Sequence, residues 1–456
     1  MVTTARPHTL WFASALLPQG WAEGVRVAIA AGKIERIETG TTADAADERF
    51  AIGIPAANNL HSHAFQRGIA GLTEHRRGSD SFWSWRDAMY GFVEKITADQ
   101  FEAIAAWAYA EMLESGIVRV GEFHYLHHAP QGVPYANPAE HAERLCAAAQ
   151  DTGIGLTLLP VLYAHGGIGG QPAQEKQRRF LNSVDSFERL LEGSQRAVAR
   201  LEFGALGVAA HSLRAVLPDE LRELATLSRG APLHIHAAEQ VAEVEQWQAH
   251  AGCRPVEWLL DNAAVDARWC LVHATHLSQV EMTRLAASGA VAGLCPITEA
   301  NLGDGIFPAK EFLANQGRFG IGTDSNVLID FAEELRLLEY GQRLVHRERN
   351  SLHTDPERST GRGLFERALA GGAQVLGART GQLAPGYLAD IVALSDRHVS
   401  MLHRRGDAWL DSWIFAGARA VETVWSAGRK VVSGGRHHAR DRIEQRFAAT
   451  LAELLR

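Results

Sequence analysis

Cysteine is scarce in this sequence, with four residues in a chain of 456. They stand at positions 146, 253, 270 and 295, in separate apolar or helical contexts and without paired spacing. A disulfide framework is therefore not expected. This cysteine usage favours a reducing compartment, and we expect the protein to be cytoplasmic. We expect all four cysteines to be small buried hydrophobic residues.

The sequence also lacks a block of basic residues and a long hydrophobic run. Lys and Arg number 45 against 53 Asp and Glu, which gives a formal charge of -8. This balance argues against a nucleic-acid or membrane surface, so we expect a small molecule as the partner. Near the N-terminus Pro18, Gln19 and Gly20 interrupt the apolar residues, and we expect neither a signal peptide nor a transmembrane span.

Apolar residues make up 46% of the chain, which is enough for a large buried core plus one smaller domain. Eight times a short β-rich apolar run is followed by a helical stretch. This alternation is typical of a parallel sheet with helices outside, and eight repeats predict an α/β protein with a closed (β/α)8 TIM barrel. The predicted strands are 52–60, 117–123, 154–162, 204–210, 232–236, 268–273, 290–295 and 318–323.

The two ends of the chain show a different pattern, in which short strands alternate with turns. Neither end has enough strands to close a core alone, so we expect both to pair into one small β-sandwich. The predicted division places the first part of the sandwich at 1–51 and the catalytic barrel at 52–384. Residues 385–456 form the second part of the sandwich and a terminal helix.

Several predicted barrel strands end in residues that can bind a metal ion. His61 and His63 end the first strand, His236 the fifth and Asp324 the eighth. The C-terminal ends of barrel strands converge on one mouth, and zinc prefers ligands of these kinds. A His-x-His pair alone is weak evidence, because ordinary surface histidines are more common. The prediction of a catalytic metal site therefore rests on His236 and Asp324, which end two other strands.

Two further residues at strand ends could transfer protons. Glu239 follows His236 by three residues, and a carboxylate beside a metal-bound water can take its proton and pass it to a leaving nitrogen. His273 ends the sixth strand and would reach the same water or the tetrahedral centre. On the residues alone, Glu239 could instead be a solvated surface glutamate and His273 a buried core histidine.

These strand ends, with the Gly386-x-x-Ala389-Asp390-Ile-Val tail, resemble the amidohydrolase superfamily. Over nearly its whole length the chain also resembles the formiminoglutamate deiminases of that superfamily. His-x-His and the tail occur in many amidohydrolases, whereas other segments discriminate better. One departure is Pro55-Ala-Ala-Asn-Asn59, where the family pattern is Pro-Gly-x-Pro-Asn. The segments that carry the resemblance are His61 to Arg67, Ser81 to Arg86, Glu122 to Tyr125, Gly169 to Pro172, His211 to Arg214, Cys295 to Phe307 and Gly322 to Ser325.

The resemblance implies the roles of the individual residues. One zinc ion per chain would be held by His61, His63, His236 and Asp324. Glu239 would transfer the proton, with His273 beside the reacting centre and Asp324 accepting a hydrogen bond from the attacking water. The substrate would be bound by Gln66, Arg86, Tyr125, His211 and Arg214. The implied reaction, in histidine degradation, converts the dicarboxylate N-formimino-L-glutamate to N-formyl-L-glutamate and ammonia, catalysed by a homodimer.

The chemistry of this substrate agrees with the residues, because Arg86 and Arg214 can each hold a carboxylate with two parallel hydrogen bonds. The alternative for Arg86 is a side chain that merely lies over Trp83 and Trp85. A second metal would call for a bridging lysine near the end of the fourth strand, where His211 stands. A deaminase or chlorohydrolase of an aromatic heterocycle such as guanine would use the same metal site, with aromatic stacking in place of the arginines. A non-catalytic descendant should have lost ligands that are all present here.

Overall fold

The computed structural model describes residues 8–75, 82–417 and 419–456. Its strands form two sheets, one built from both ends of the chain and one that curves into a barrel. In the described part of the chain, no helix combines the length and the apolar character that crossing a membrane requires.

The N-terminal strands form half of the first sheet. β1 pairs antiparallel with β2 and parallel with β4, and β2 pairs antiparallel with β3. Alternate residues of β2 are buried, as expected for a strand with one face on a core. The four strands are β1 (His8–Leu17), β2 (Gly20–Ala30), β3 (Lys33–Glu38) and β4 (Glu48–Pro55).

The barrel strands are parallel and follow the chain order around the barrel, as the alternation of strands and helices predicts. Nearly all their residues are buried on both faces, which explains their continuous apolar runs. The strands are β5 (Ala57–Ser62), β6 (Ile117–His124), β7 (Gly155–Leu162), β8 (Ala205–Leu206), β9 (Val208–Ser212), β10 (Leu233–Ala237), β11 (Trp269–His273), β12 (Val291–Leu294) and β13 (Arg318–Ile321).

The apolar run predicted as one strand over 52–60 is two strands in the structure. Its first part belongs to β4, where Ile54 pairs with Val392 in the sheet of the chain ends. Its second part is β5, where Ala57 pairs with Ile117 in the barrel. Periodicity cannot reveal this change of partner, since both halves are buried. The proposed domain limits at 51/52 and 384/385 stay predictions.

The barrel closes between its first and last strands at the end that carries the polar residues. Ser62 forms a parallel bridge with Asp324. The His63 N–H donates to the Asp324 carbonyl at 2.9 Å, and the Thr323 N–H donates to the His61 carbonyl at 3.0 Å. These bonds bring the first and eighth strand ends directly together.

The C-terminal strands complete the first sheet, whose order is β17-β16-β15-β14-β4-β1-β2-β3. Side chains from both chain ends share one apolar core, in which Phe12, Val27, Ile391 and Trp425 are buried. The prediction of a (β/α)8 barrel with a small β-domain from both termini is therefore confirmed. The strands are β14 (Ile391–Leu394), β15 (Val421–Ser426), β16 (Arg429–Ser433) and β17 (Arg436–His437).

Helices cover the outside of the barrel and the sheet edge. The stripe of Phe101, Ile104, Ala108 and Met112 is buried on α2, as its spacing predicts. Short 3-10 helices lie at Ala64–Ile69, Pro130–Gly132, Glu175–Gln177 and Val399–Met401. The α-helices are α1 (Phe82–Val93), α2 (Ala98–Glu114), α3 (Glu140–Thr152), α4 (Val184–Val198), α5 (Pro218–Leu227), α6 (Val241–Ala251), α7 (Pro255–Asn262), α8 (Gln279–Ser288), α9 (Pro296–Leu302), α10 (Ala309–Ala314), α11 (Phe331–His346), α12 (Thr360–Leu376), α13 (Asp407–Phe415) and α14 (Arg440–Leu454).

Candidate metal and substrate site

Four side chains from three barrel strand ends meet at the mouth of the barrel. One ligand atom from each of His61, His63, His236 and Asp324 lies within 4.8 Å of the others. Asp324 Oδ1 is 3.2 Å from Nε2 of both His61 and His63. The Nε2 atoms of His61 and His236 are 3.1 Å apart. Three imidazoles and a carboxylate in this arrangement could hold one divalent ion.

The hydrogen bonds of two of these histidines fix their tautomers. His63 Nδ1 is 3.0 Å from the Phe123 carbonyl, and His236 Nδ1 is 2.9 Å from the His211 carbonyl. A carbonyl only accepts, so each Nδ1 carries the proton and each Nε2 presents a lone pair. Metal-binding histidines are commonly oriented by such bonds. The donor set therefore fits a metal ion.

Burial keeps two of the histidines neutral, as metal ligation requires. Burial lowers the pKa of His61 to about 3 and, with the neighbouring His61 ring, holds the pKa of His236 well below its usual range. Burial alone would raise the pKa of the Asp324 carboxyl group. The adjacent His61 and His63 rings outweigh it, and the pKa of Asp324 lies well below its ordinary value. Asp324 is therefore anionic and could bind a divalent ion.

The backbone at these strand ends adopts an unusual conformation. Ala238, His273 and Asp324 have φ values of 52°, 67° and 43°, in the left-handed region that residues other than glycine seldom occupy. Such conformations persist where the surroundings hold them, often in active sites. At Asp324 the Asn326 side chain helps by donating to the Asp324 carbonyl at 3.1 Å.

Glu239 lies beside this cluster, at the point where β10 gives way to the next helix. Its Oε1 is 3.8 Å from His273 Nε2, and its Oε2 accepts from Arg214 Nη2 at 3.3 Å. Glu243 holds the backbone here, because its carboxylate accepts the N–H groups of Ala238 and Glu239, each at 3.2 Å. Glu239 is 5% exposed, which is at odds with a solvated surface glutamate.

His273 is surrounded by carboxylates rather than by core side chains alone. Its Nδ1 is 3.3 Å from Glu299 Oε1, and its Nε2 is 3.8 Å from Asp324 Oδ2. Burial disfavours the charged imidazole, but Glu239, Glu299 and Asp324 outweigh it and raise the pKa of His273 to about 10. His273 is therefore a cationic donor that faces both Glu239 and the metal cluster.

A cavity of about 650 Å³ opens above the cluster. All five residues predicted to bind substrate line it, and three of them have a buried polar atom without a hydrogen-bond partner, namely Gln66 Oε1, Arg86 Nε and Arg214 Nη1. Such atoms are costly unless a ligand meets them. Gln66 also donates to the Tyr125 hydroxyl at 2.9 Å. The predicted substrate residues are Gln66, Arg86, Tyr125, His211 and Arg214.

Aromatic side chains also line this cavity, but arginine side chains cover part of the surface of their rings. The Arg86 guanidinium lies 4.4 Å from the centroid of the Trp83 ring. It is thus stacked on Trp83 and also lines the cavity, and its role in substrate binding stays a prediction. Arg214 contacts Glu239 as well as the cavity, which the sequence did not indicate. Ser81, which belongs to one of the resembling segments, lies outside the described residues.

Sequence reasoning missed three polar residues that support the site. Asn59 Nδ2 donates to Thr323 Oγ1 at 2.7 Å. Glu122 accepts the Ala64 N–H at 2.7 Å, and burial raises its pKa to about 7. Glu299 accepts the Cys295 N–H at 2.9 Å and contacts His273. All three lie in or beside the segments that carry the family resemblance. That position was the signal in the sequence that could have identified them.

Comparison with sequence families agrees with this geometry. The sequence model of the amidohydrolase family matches residues 52–431. A second model, described as "Formimidoylglutamate deiminase HutF, N-terminal domain", matches residues 9–51. The two matches together span residues 9–431, which include the barrel and most of the sheet of the chain ends.

Individual relatives give the same result. The formimidoylglutamate deiminase of Pseudomonas aeruginosa is 51% identical over 447 residues, which are 97% of this chain and 98% of the relative. The crystal structure of an amidohydrolase from Brucella melitensis has a TM-score of 0.95 at 54% identity, covering 98% of this chain and all of that one. A zinc-bound adenosine deaminase from Xanthomonas campestris shares the fold, with a TM-score of 0.82 at 20% identity over 98% of each chain. The chain therefore belongs to the amidohydrolase family, in the branch that contains the formimidoylglutamate deiminase of Pseudomonas aeruginosa.

Proposed function

We propose that this protein hydrolyses the formimino group of N-formimino-L-glutamate and releases ammonia. The observation that carries the proposal is one cavity that joins the His61, His63, His236 and Asp324 cluster to Glu239 and to two arginines. The cluster could hold a metal ion that activates water for attack, and the arginines can form charge-assisted hydrogen bonds with a dicarboxylate. The relationship to the Pseudomonas aeruginosa deiminase supports this substrate.

The substrate residues act as hydrogen-bonding groups in the wall of the cavity beside the candidate metal ligands. Arg86 and Arg214 have unpartnered N–H groups, which would each meet a substrate carboxylate in a charge-assisted pair. Gln66, Tyr125 and His211 also line the cavity and would add neutral hydrogen bonds. Arg214 also contacts Glu239, so that the same guanidinium orients the acid–base residue and the substrate.

The proposed reaction adds water across the carbon–nitrogen double bond and then expels ammonia. A divalent ion held by His61, His63, His236 and Asp324 would lower the pKa of water enough to supply hydroxide near neutral pH. Glu239 accepts one proton of the water and delivers it to the formimino nitrogen as the carbon–oxygen bond forms. It then transfers the remaining hydroxyl proton to the same nitrogen as the carbon–nitrogen bond breaks, so that the nitrogen leaves as ammonia. His273, cationic and 3.8 Å from Glu239, donates a hydrogen bond to the oxygen that gains negative charge. Asp324 accepts a hydrogen bond from the attacking water.

We further propose that the metal is zinc, with one ion per chain. A second group of possible ligands, His273, Cys295 and Asp324, shares Asp324 with the first. Burial raises the pKa of the Cys295 thiol well above its usual value, so this sulfur is protonated and a poor ligand. Elemental analysis of the purified protein should give about one zinc per chain, and a value near two would contradict the proposal.

We also propose a cytoplasmic homodimer. The four cysteines form no disulfide, which is usual in a reducing compartment. The outer face of α11 exposes Leu344, Val345 and Tyr340, which a second copy could cover. Sedimentation equilibrium of the purified protein decides between monomer and dimer.

The identity of the products tests the proposed function. Attack at the formimino carbon with loss of ammonia gives N-formyl-L-glutamate, whereas loss of the other nitrogen gives L-glutamate and formamide. Proton NMR of a completed reaction, with ammonia measured in parallel, should show N-formyl-L-glutamate and ammonia in equal amounts. A chelator should stop the reaction and added zinc restore it. Formation of L-glutamate and formamide would contradict deimination.

A further inference from the structure

Asp304 is a buried carboxyl group near the candidate active site that has no part in the proposed reaction. It lies in the loop that follows α9, within the segment from Cys295 to Phe307 that carries the family resemblance. Asp304 is 5% exposed. Burying a carboxyl group costs free energy, which its contacts must offset.

Hydrogen bonds connect Asp304 to the two loops that carry Glu239 and His273. Its Oδ1 accepts from Gln240 Nε2, and Gln240 directly follows Glu239 in the chain. Its carbonyl accepts from His276 Nε2 at 2.8 Å, and His276 follows β11, which ends at His273. Asp304 therefore joins the loop after β10 to the loop after β11.

The backbone connects the same loop to α9 and packs it against His276. The Asp304 N–H donates to the Glu299 carbonyl at 2.9 Å. The carboxylate of Glu299 in turn contacts His273 Nδ1 at 3.3 Å. Gly305 has a φ of 132°, and a Cβ at this position would lie 3.2 Å from His276 Cε1. The loop thus lies directly against the His276 ring.

The second carboxyl oxygen of Asp304 has no hydrogen bond. In the described part of the chain, Oδ2 is buried and lacks a partner. Burial and the neighbouring Glu239 carboxylate raise the pKa of Asp304 to about 9, so this carboxyl group is uncharged near neutral pH. An uncharged acid can hold Gln240 in place without adding a second negative charge near Glu239.

We propose that Asp304 is a positioning residue that sets the spacing between Glu239 and His273. The inference rests on the proposed function, in which Glu239 transfers protons and His273 donates to the oxygen that gains charge. Glu239 Oε1 and His273 Nε2 lie on different loops and are 3.8 Å apart. Both tasks depend steeply on distance, so a shared anchor between the loops keeps the two groups aligned.

Steady-state kinetics of zinc-loaded variants test this role through kcat and KM. Asp304→Leu keeps a similar volume but cannot accept from Gln240. We expect kcat to fall by about ten- to a hundredfold, while KM changes little because the substrate residues are untouched. Asp304→Asn retains an uncharged acceptor and should restore most of the activity. Asp396→Leu, at an exposed position after β14, is the matched control and should behave as the wild type does.

Gln240→Leu removes the other partner of the same hydrogen bond. It should lower kcat as Asp304→Leu does, and the double variant should fall little further than either single one. Gln240→Leu also decides the matter if circular dichroism shows that Asp304→Leu is unfolded. The proposal would be overturned by wild-type kcat in Gln240→Leu, by equal losses in Asp304→Asn and Asp304→Leu, or by a loss confined to KM.

Crystal structures of the zinc-loaded wild type and Gln240→Leu give a readout that does not depend on the substrate. The distance between Glu239 Oε1 and His273 Nε2 should be longer in the variant, and an unchanged distance would contradict the positioning role. A wild type that releases no ammonia from N-formimino-L-glutamate would instead contradict the proposed function, and the two structures would still judge Asp304.

Discussion

At the scale of single residues, Glu239 lies beside two nitrogen-bearing side chains, those of Arg214 and His273. Arg214 Nη2 lies 3.3 Å away and His273 Nε2 lies 3.8 Å away, so both side chains can hold the Glu239 carboxylate in place beside the cluster. A residue that must first accept and then release a proton needs such a fixed position.

Replacing Glu239 by Gln keeps the shape of the side chain but removes its ability to transfer a proton. We expect kcat to fall by roughly a hundredfold to ten-thousandfold, the usual contribution of general acid–base catalysis. Metal content and the thermal unfolding midpoint should remain those of the wild type. Turnover close to the wild-type value would show that Glu239 does not carry the proton and would make His273 the candidate.

Arg86 offers a cleaner test of carboxylate binding than Arg214, because Arg214 also contacts Glu239. Arg86→Met should lower kcat/KM for N-formimino-L-glutamate by about a hundredfold, and Arg86→Lys should recover only part of that loss. An analogue in which both carboxylates are amidated serves as the control. Its slow hydrolysis should change little in either variant. An equal loss for both compounds would mean that Arg86 only packs against Trp83.

At the scale of secondary structure elements, Asn59 connects the first barrel strand to the residues after the last one. Its Oδ1 accepts the His61 N–H at 3.2 Å and the Thr323 N–H at 3.1 Å. Both bonds lie directly beside metal ligands, so this amide holds the two ligand-bearing strand ends in register.

Asn59→Ala removes the side-chain acceptor of the buried His61 N–H and one of the two acceptors of the Thr323 N–H. We expect the free energy of unfolding to fall by about 1–3 kcal/mol and metal affinity to fall by about tenfold. Urea denaturation and competition with a chelating dye measure the two effects. Asn262→Ala, at an exposed helix end, is the matched control. Wild-type metal affinity in Asn59→Ala would contradict this role.

The sequence allowed the strand ends to be predicted because buried parallel strands are continuous apolar runs, and polar residues at their ends are conspicuous. It did not reveal that 52–60 divides between two sheets, since burial is similar on both sides of Pro55. Nor did it reveal Asn59 and Glu299, because their roles depend on Thr323 and His273, which are distant along the chain. The clustering of His61, His63, His236 and Asp324 was predictable, whereas the hydrogen bonds that support the cluster were not.

At the scale of the whole molecule, several buried histidines make stability depend on pH. His127 is 2% exposed, its Nε2 donates to the Val161 carbonyl at 2.9 Å, and burial lowers its pKa to about 3. The unfolded chain takes up this proton near pH 6.5. The stability that neutral His127 provides is therefore complete above pH 6.5 and is lost as the pH falls toward 3.

His127→Gln keeps a donor for Val161 and removes the titrating group. The free energy of unfolding of the wild type should fall relative to this variant by about 1.4 kcal/mol per pH unit below pH 6. Urea denaturation at pH 7.5, 6.0 and 5.0 measures the difference. His403→Gln changes an exposed histidine and is the matched control. A constant difference between wild type and His127→Gln across this range would contradict the assignment.

The overall architecture was predictable because each chain end alone has too few strands to bury a core, while eight strand–helix repeats close into a barrel. The pairing of β4 with β14 depends on contacts across more than 300 residues, which local patterns do not encode.

The central claim is that the arginine-lined cavity selects a linear dicarboxylate over an aromatic heterocycle. Rates of ammonia release from N-formimino-L-glutamate and from guanine, measured on one preparation loaded with zinc, test it most directly. We predict that kcat/KM for N-formimino-L-glutamate is higher by on the order of a thousandfold or more, since guanine offers no carboxylate to either arginine. Equal or faster ammonia release from guanine would contradict the account.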